Sequence, residues 1–244
     1  MIPKIIHYCW FGKGEKPELV VRCLDSWQKY LRDYRMVEWN EENFDVNSYQ
    51  YSAEAYRERK FAFVSDVCRL FALKSTGGIY LDTDVEFLKP LDEAMLNHVA
   101  FTGFEDNLLL SSAIMGSVPD SRWINDLLAY YDKRSFYLAN GKPDTMPNTE
   151  NITAFMKVGE GLQLNNSFQQ IEGYCVVYPS EFFSPKSWKT LKIKITSNTC
   201  CIHHFAASWL AESDYSLMGK LSNQLLGKKV SDFLAKIYRK LRGR

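Results

Sequence analysis

Gly77-Gly78-Ile79-Tyr80-Leu81-Asp82-Thr83-Asp84-Val85-Glu86 is the stretch around which the chain is organised. Ile79 to Leu81 read as a short buried strand, so the carboxylates that follow stand at its carboxyl end, where open α/β sheets place their ligand crevice. A turn at Asp82-Thr83-Asp84 lets both acids converge on one hard cation. Such a pair holds Mn²⁺ or Mg²⁺ through oxygen and leaves positions for a diphosphate, whose charge must be neutralised as it departs. The tripeptide alone also fits a solvated acidic loop; the sequence on either side decides between the two.

Upstream, Phe61 to Ser75 is apolar on most faces and ends at Gly77 as a cap. A helix that apolar is packed on several sides, so charges inside it need a reason. Asp66 and Arg69 are three apart and share a face. An ion pair shielding one edge is the plain reading, but this helix feeds directly into the acidic turn. A carboxylate and a guanidinium in a partly dry pocket suit sugar hydroxyls and phosphate oxygens.

The first strand spans Ile2 to Phe11 and is expected to be central, ending at the Gly12-Lys13-Gly14 turn. Trp10 at its carboxyl end is placed to stack on a nucleotide base, or else to fill the core. His7 within the strand reads as a hydrogen-bonded core histidine. Pro17 to Tyr34 has helical spacing and Arg35 to Trp39 reads as the second strand, so a parallel pair joined by a crossover is expected.

Three blocks in order now carry a resemblance: Ile5-Ile6-His7-Tyr8-Cys9-Trp10-Phe11-Gly12, Ser65-Asp66-Val67-Cys68-Arg69-Leu70 and Gly77 to Val85. Together they resemble the sugar-binding Asp-x-Asp glycosyltransferases. The likeness is greatest to the family 32 enzymes of bacterial capsule synthesis, relatives of yeast mannosyltransferases, and is more distant to the glucosylating domain of large clostridial toxins. The resemblance implies a GT-A-type α/β fold: a single Rossmann-like mixed sheet flanked by helices, followed by a C-terminal helical tail. It also implies a nucleotide-sugar donor, UDP-sugar favoured, a divalent metal, and transfer of a hexose or N-acetylhexosamine with retention to a glycan or polyprenyl-linked acceptor. By the same resemblance Trp10 stacks on the base, Asp66 and Arg69 grip the donor sugar, Asp82 is shared between ribose and metal water, and Asp84 is the direct metal ligand. Tyr8, Ser65 and Tyr80 fall in the matching blocks and are expected on the donor side.

Farther along, Val85 to Leu88, Val99 to Glu105 and Leu108 to Met115 read as strands, with Glu105-Asp106-Asn107 as a polar turn whose carboxylates either meet the acceptor sugar or, the preferred reading, form a solvated hairpin. Trp123 to Tyr131 is helical and Lys133 to Asp144 a loop. Met146 to Thr153 opens a helix with good capping chemistry. Tyr174 to Tyr178 is a strand, and Phe182-Phe183-Ser184-Pro185 a turn assigned to packing. In Cys201-Ile202-His203-His204-Phe205-Ala206-Ala207-Ser208-Trp209, strand alternation puts the histidines on opposite faces, so at most one reaches the crevice. The resemblance favours one histidine as metal ligand, taken here as His204 from its spacing to Ser208, with Ser208 and Trp209 closing over the diphosphate.

Composition excludes little but points one way. A net charge of +1 and 46% hydrophobic content suit one large domain, 1–214, with an appendage over 215–244, and imply no bulk nucleic-acid affinity. No signal peptide and no spanning helix is read. Six cysteines in apolar runs, without Cys-x-x-Cys spacing, suggest buried reduced thiols and a cytosolic setting. In the tail, Leu217, Leu221, Leu225, Phe233, Ile237 and Leu241 repeat at helical spacing among lysines and arginines. That pattern fits either peripheral attachment to the anionic inner face of the cell membrane or a helix packed on the core. Two other classes stay open on sequence alone: a phosphohydrolase of the haloacid-dehalogenase kind using Asp82 and Asp84, and a catalytically idle glycan-binding or membrane-peripheral scaffold.

Overall fold

Alternating apolar residues build one twisted mixed sheet whose two faces bury separate apolar layers. The structure is a computed structural model and describes residues 1–105, 108–187 and 189–206. Ser208, Trp209, the centre of the 105–107 turn and the basic tail of 215–244 lie outside the described residues.

Strand β1 (Ile5–Cys9) pairs in parallel with β2 (Arg35–Trp39) on one side and β3 (Gly78–Leu81) on the other. The crossover between the first two is α1 (Glu18–Tyr30), which buries Val20, Cys23 and Trp27 at helical spacing. Strand β3 continues antiparallel to β6 (Ile114–Ser117), which pairs with β5 (Ala100–Gly103); β8 (Cys175–Tyr178) and β7 (Gln169–Ile171) complete the order β2-β1-β3-β6-β5-β8-β7. The single mixed sheet expected from the sequence is present. A separate two-stranded ribbon of β4 (Val85–Phe87) and β9 (Cys201–His203) is added to it.

Each strand divides its side chains between the layers as period-two geometry demands. On β3, Ile79 and Leu81 join one layer with Ile6, Trp27 and Phe87, while Tyr80 joins the other with Val67, Leu70 and Trp123. The second layer is covered by α2 (Gln50–Arg57), α3 (Phe61–Thr76), α4 (Arg122–Ala129) and α5 (Asn148–Glu160). A one-turn α6 (Ser180–Phe183) seats Phe183 on the first.

Gly77 and Gly78 make the α3–β3 joint possible. Both have positive φ, 62° and 113°, and a Cβ on Gly78 would stand 2.6 Å from the Ile5 carbonyl oxygen of the neighbouring strand. His7 locks the joint: Trp39 Nε1 donates to its Nδ1 at 3.0 Å, so the Nε2 proton is left to donate to the Gly77 carbonyl at 2.8 Å. Burial lowers the His7 pKa, consistent with a neutral structural ring.

Several expectations are corrected. Strand β1 is second from the edge rather than central. The helix α2 was not read from the sequence, because it is short and buries Ser52 and Glu54 beside Tyr51, Ala53 and Ala55, which blurs the pattern. The strand expected over 108–115 starts only at Ile114. Before it, the chain makes one bridge, Phe104 to Leu110, and then a bend in which Thr102 donates to the Ser111 and Ile114 carbonyls. Helix α5 has Pro147 as its cap, with no side-chain capping bond. All six cysteines carry free thiols and are buried.

Candidate active site

The acidic turn is held from three directions. The Asp82 amide donates to the Ala113 carbonyl at 2.8 Å and the Val85 amide to the Asp82 carbonyl at 3.0 Å, which closes a tight turn over Asp82-Thr83-Asp84-Val85. Helix α1 grips the other side, with Trp27 Nε1 donating to the Val85 carbonyl at 2.7 Å and the Phe87 amide to Ser26 Oγ at 2.9 Å. From β9, the His204 amide donates to the Asp84 carbonyl at 3.0 Å. A buried indole thus fixes the backbone next to Asp84.

On the α3 side the carboxylates meet a buried cation. Arg69 Nη2 lies 2.9 Å from Asp66 Oδ1, and Nη1 lies 3.5 Å from Asp82 Oδ1 while donating to the Ser112 carbonyl at 2.7 Å. The guanidinium stacks on the Tyr80 ring at 4.6 Å, and the Tyr80 hydroxyl donates to Asp82 Oδ1 at 2.8 Å. Burial opposes charge on Arg69, but Tyr80, Asp82 and Asp66 hold it protonated. Burial also pushes the Asp66 carboxyl up to about 7, against the pull of Arg69. Asn148, the first residue of α5, helps keep that carboxylate charged and accepts from Tyr131.

On the β9 side, antiparallel pairing sets His203 opposite Val85. His203 Nε2 then lies 3.5 Å from Asp84 Oδ1, and Nδ1 lies 3.4 Å from Glu105 Oε1. Single ligand atoms of Asp82, Asp84 and His203 all fall within 4.8 Å of one another. Two carboxylates and an imidazole are a fitting donor set for Mn²⁺ or Mg²⁺, with the imidazole favouring manganese. Burial would lower the His203 pKa, but Asp84, then Glu105 and Asp82, lift it to about 9. At neutral pH the ring is therefore an imidazolium between two acids, occupying with its charge the place a cation would fill.

In the structure His203, rather than the expected His204, stands beside Asp82 and Asp84. His204 lies past the end of β9, and its Nε2 is 2.7 Å from Glu86 Oε2, away from Asp82 and Asp84. Glu105, expected in a solvated hairpin, is only 5% exposed and faces His203. Tyr80, expected on the donor, is buried and positions Asp82 and Arg69. The Ser65 hydroxyl bonds back to the Phe61 carbonyl, and its own carbonyl accepts from Arg69 Nε. Trp10 reaches the same carboxyl edge of the sheet, half-buried, with its Nε1 donating to the Gly14 carbonyl and Lys16 over its face. Tyr8 donates to Glu38, which pairs with Lys16. Neither Trp10 nor Tyr8 contacts Asp82 or Asp84 among the described residues; their side chains meet Gly14, Lys16, Glu38 and Trp27. The place of Glu105 behind His203 and of Asn148 beside Asp66 is not legible in the sequence, where the first stands in a polar turn and the second at a polar helix start.

Fold and site together define an α/β protein with a cation-competent acidic crevice at the carboxyl edge of its sheet and a buried Asp-Arg pair beside it. Residues 17–101 match the family described as "Glycosyltransferase sugar-binding region containing DXD motif", a span that includes Asp66, Arg69, Asp82 and Asp84. The chain is similar to Inositol phosphoceramide mannosyltransferase 3 of Schizosaccharomyces pombe, 34% identical over 123 residues that cover 47% of this chain and 33% of that protein. It is also similar to Mannosyl phosphorylinositol ceramide synthase CSH1 of Saccharomyces cerevisiae, 30% identical over 123 residues, 49% of this chain and 32% of that protein. The matched stretches span about a third of the length of these relatives. Among solved structures, a glycosyltransferase involved in the glycosylation of the major capsid of PBCV-1 covers 89% of this chain and 100% of its own, at 12% identity and a TM-score of 0.45, too distant to bear on chemistry.

Proposed function

We propose that this chain is a metal-dependent glycosyltransferase that moves a hexosyl group from a nucleoside diphosphate sugar to a glycan or lipid-linked acceptor. The observation that carries the reading is the convergence of Asp82, Asp84 and His203 within 4.8 Å at the end of β3. The sugar-binding family match over the same segment supports it. Asp84, His203 and Asp82 would hold the divalent ion, which when bound supplies positive charge to the leaving diphosphate. Asp66 and Arg69 present a carboxylate and fixed N–H donors to sugar hydroxyls and phosphate oxygens, and Trp10 offers a face for the base.

The acids lining the crevice are each engaged: Asp66 by Arg69, Asp82 by Tyr80 and Arg69, Asp84 by the Ala206 amide, and Glu105 by His203. That engagement supports attack by the acceptor on the face from which the diphosphate leaves, with retention, rather than through a carboxylate nucleophile. It likewise weighs against Asp82 as the nucleophile of a phosphohydrolase. The names of the curated relatives bring mannose forward as the transferred sugar, beside the UDP-hexoses suggested by the sequence. A capsular acceptor, as in the bacterial family 32 enzymes, remains part of the proposal.

The test is a screen of GDP-mannose, UDP-glucose, UDP-galactose and their N-acetyl forms for Mn²⁺-dependent release of the nucleoside diphosphate. One donor should be turned over, with the rate lost in Asp84→Ala. No Mn²⁺-dependent turnover or binding of UDP or GDP, or an Asp84→Ala protein as active as the parent, would overturn the reading.

A further inference from the structure

Residues 186–195, Lys-Ser-Trp-Lys-Thr-Leu-Lys-Ile-Lys-Ile, lie outside everything the crevice uses, and their composition is unusual for a surface loop. Backbone bonds from Ser187 to the Lys192 carbonyl, Leu191 to the Ser187 carbonyl and Lys194 to the Pro185 carbonyl join residues 186–187 and 189–195 into a hairpin, with one bridge from Lys186 to Ile193. Beyond that bridge no strand pairs with the segment among the described residues. Every residue from 189 to 195 is exposed.

Three of the nine large apolar side chains exposed among the described residues fall within five positions here: Leu191 at 62%, Ile193 at 45% and Ile195 at 59%. Aliphatics so gathered and so exposed among the described residues mark a surface that another phase or partner covers. Lysines alternate with them, and no carboxylate occurs in the sequence between Glu181 and Glu212. Neither Lys192 nor Lys194 forms an ion pair among the described residues.

We infer that this hairpin docks the protein on an anionic lipid surface. In an extended segment Ile193 and Ile195 share one face and Lys192 and Lys194 the other. The aliphatics can enter the headgroup boundary while the lysine stems carry their ammonium groups to lipid phosphates. The charge also argues against other occupants. A second copy would bring the same cations, and the 215–244 segment is itself rich in lysine and arginine, so each would be repelled where an anionic surface is attracted.

Docking here would set the crevice at the membrane. Lys186 Nζ, at the base of the hairpin, donates to the His204 carbonyl at 2.5 Å, and the His204 amide donates to the Asp84 carbonyl. From the other end, the chain runs through residues 196–200 directly into β9 and His203. An acceptor held in a bilayer would then meet the site edge-on. The inference itself rests on surface chemistry and stands apart from the proposed activity.

The experiment is cosedimentation of the full chain, tail included, with vesicles of phosphatidylcholine alone or with about 30% phosphatidylglycerol at near-physiological salt. The parent protein should bind the anionic vesicles only. Lys192→Glu with Lys194→Glu should weaken binding on the order of a hundredfold, since two attractions become two repulsions. Leu191→Ser with Ile193→Ser and Ile195→Ser should weaken it about tenfold or more while the melting temperature moves only slightly, because about half of each side chain is already in water. The inference fails if the parent binds no anionic vesicle, or if both variants bind like the parent, which would assign binding elsewhere in the chain. It also fails if the substitutions change oligomeric state rather than vesicle binding, because the face would then join copies of the protein.

Discussion

If His203 is a ligand, metal binding must expel its proton, and the structure gives the size of that competition. With a folded pKa near 9, His203 in the metal-free protein is almost fully protonated at pH 7. Each pH unit between there and the pKa is a factor of ten, so the competition costs roughly a hundredfold in apparent affinity, about 3 kcal/mol. Apparent Mn²⁺ affinity should therefore climb about tenfold per pH unit from pH 7 and level off near pH 9. Calorimetric titration in two buffers of different ionisation enthalpy counts the protons, and about one should be released per ion at pH 7. His203→Gln should abolish both the proton release and the slope, whereas His204→Gln should keep them. The same shift affects folding. Because the folded pKa stands above the ordinary 6.5, the stabilisation is complete below pH 6.5 and lost as pH rises through about 9. That loss amounts to about 3 kcal/mol in chelator. Proton-free binding of manganese at pH 7, or a titration that depends on His204 and not on His203, would refute the assignment.

Glu105→Gln keeps the shape behind His203 and removes the charge facing its Nδ1; Mn²⁺ affinity at pH 9 and above, where the ring has no proton to lose, should fall by about 10- to 100-fold, measured by titration rather than by turnover. Trp27→Phe should leave the Val85 carbonyl without its indole donor, cost about 1–3 kcal/mol in urea unfolding, and weaken metal binding although Trp27 touches no ligand side chain. At saturating Mn²⁺, where proton competition at His203 no longer limits metal loading, transfer should decline as pH falls below about 7, where Asp66 takes up a proton and stops opposing the Arg69 charge. In Asp66→Asn that acid limb should vanish from the pH profile along with most of the rate.

How far the sequence could be read varied with the kind of information each element carries. Strand β2 starts and ends where the alternation over 35–39 puts it, and α3 ends at the glycine that caps it. Both boundaries are set by local chemistry: side-chain periodicity and a positive φ. The strand before Ser117 slipped, because the bend at 110–113 is dictated by the Thr102 hydroxyl and the Asp82 amide, partners distant in the chain. The capping chemistry read at Met146 to Thr153 went unused as well: Asn148 turns its side chain to Tyr131 and the Asp66 corner.

By itself the sequence determined that two acids stand at a strand end beside a helix carrying Asp66 and Arg69, since spacing along one element fixes which residues share a face or an edge. Only the tertiary structure sets which histidine and which further acid stand beside the two aspartates. Alternation separates His203 from His204, but it cannot say which face turns inward; that follows from the register of β9 on β4, which sets His203 against Val85 and so beside Asp84. Glu105 is 98 residues from His203 in the chain (203 − 105), and no local pattern encodes a contact across that distance. It exists because β9, the acidic turn and the buried Glu105 meet in space, where the low local dielectric makes each charge answer to the others.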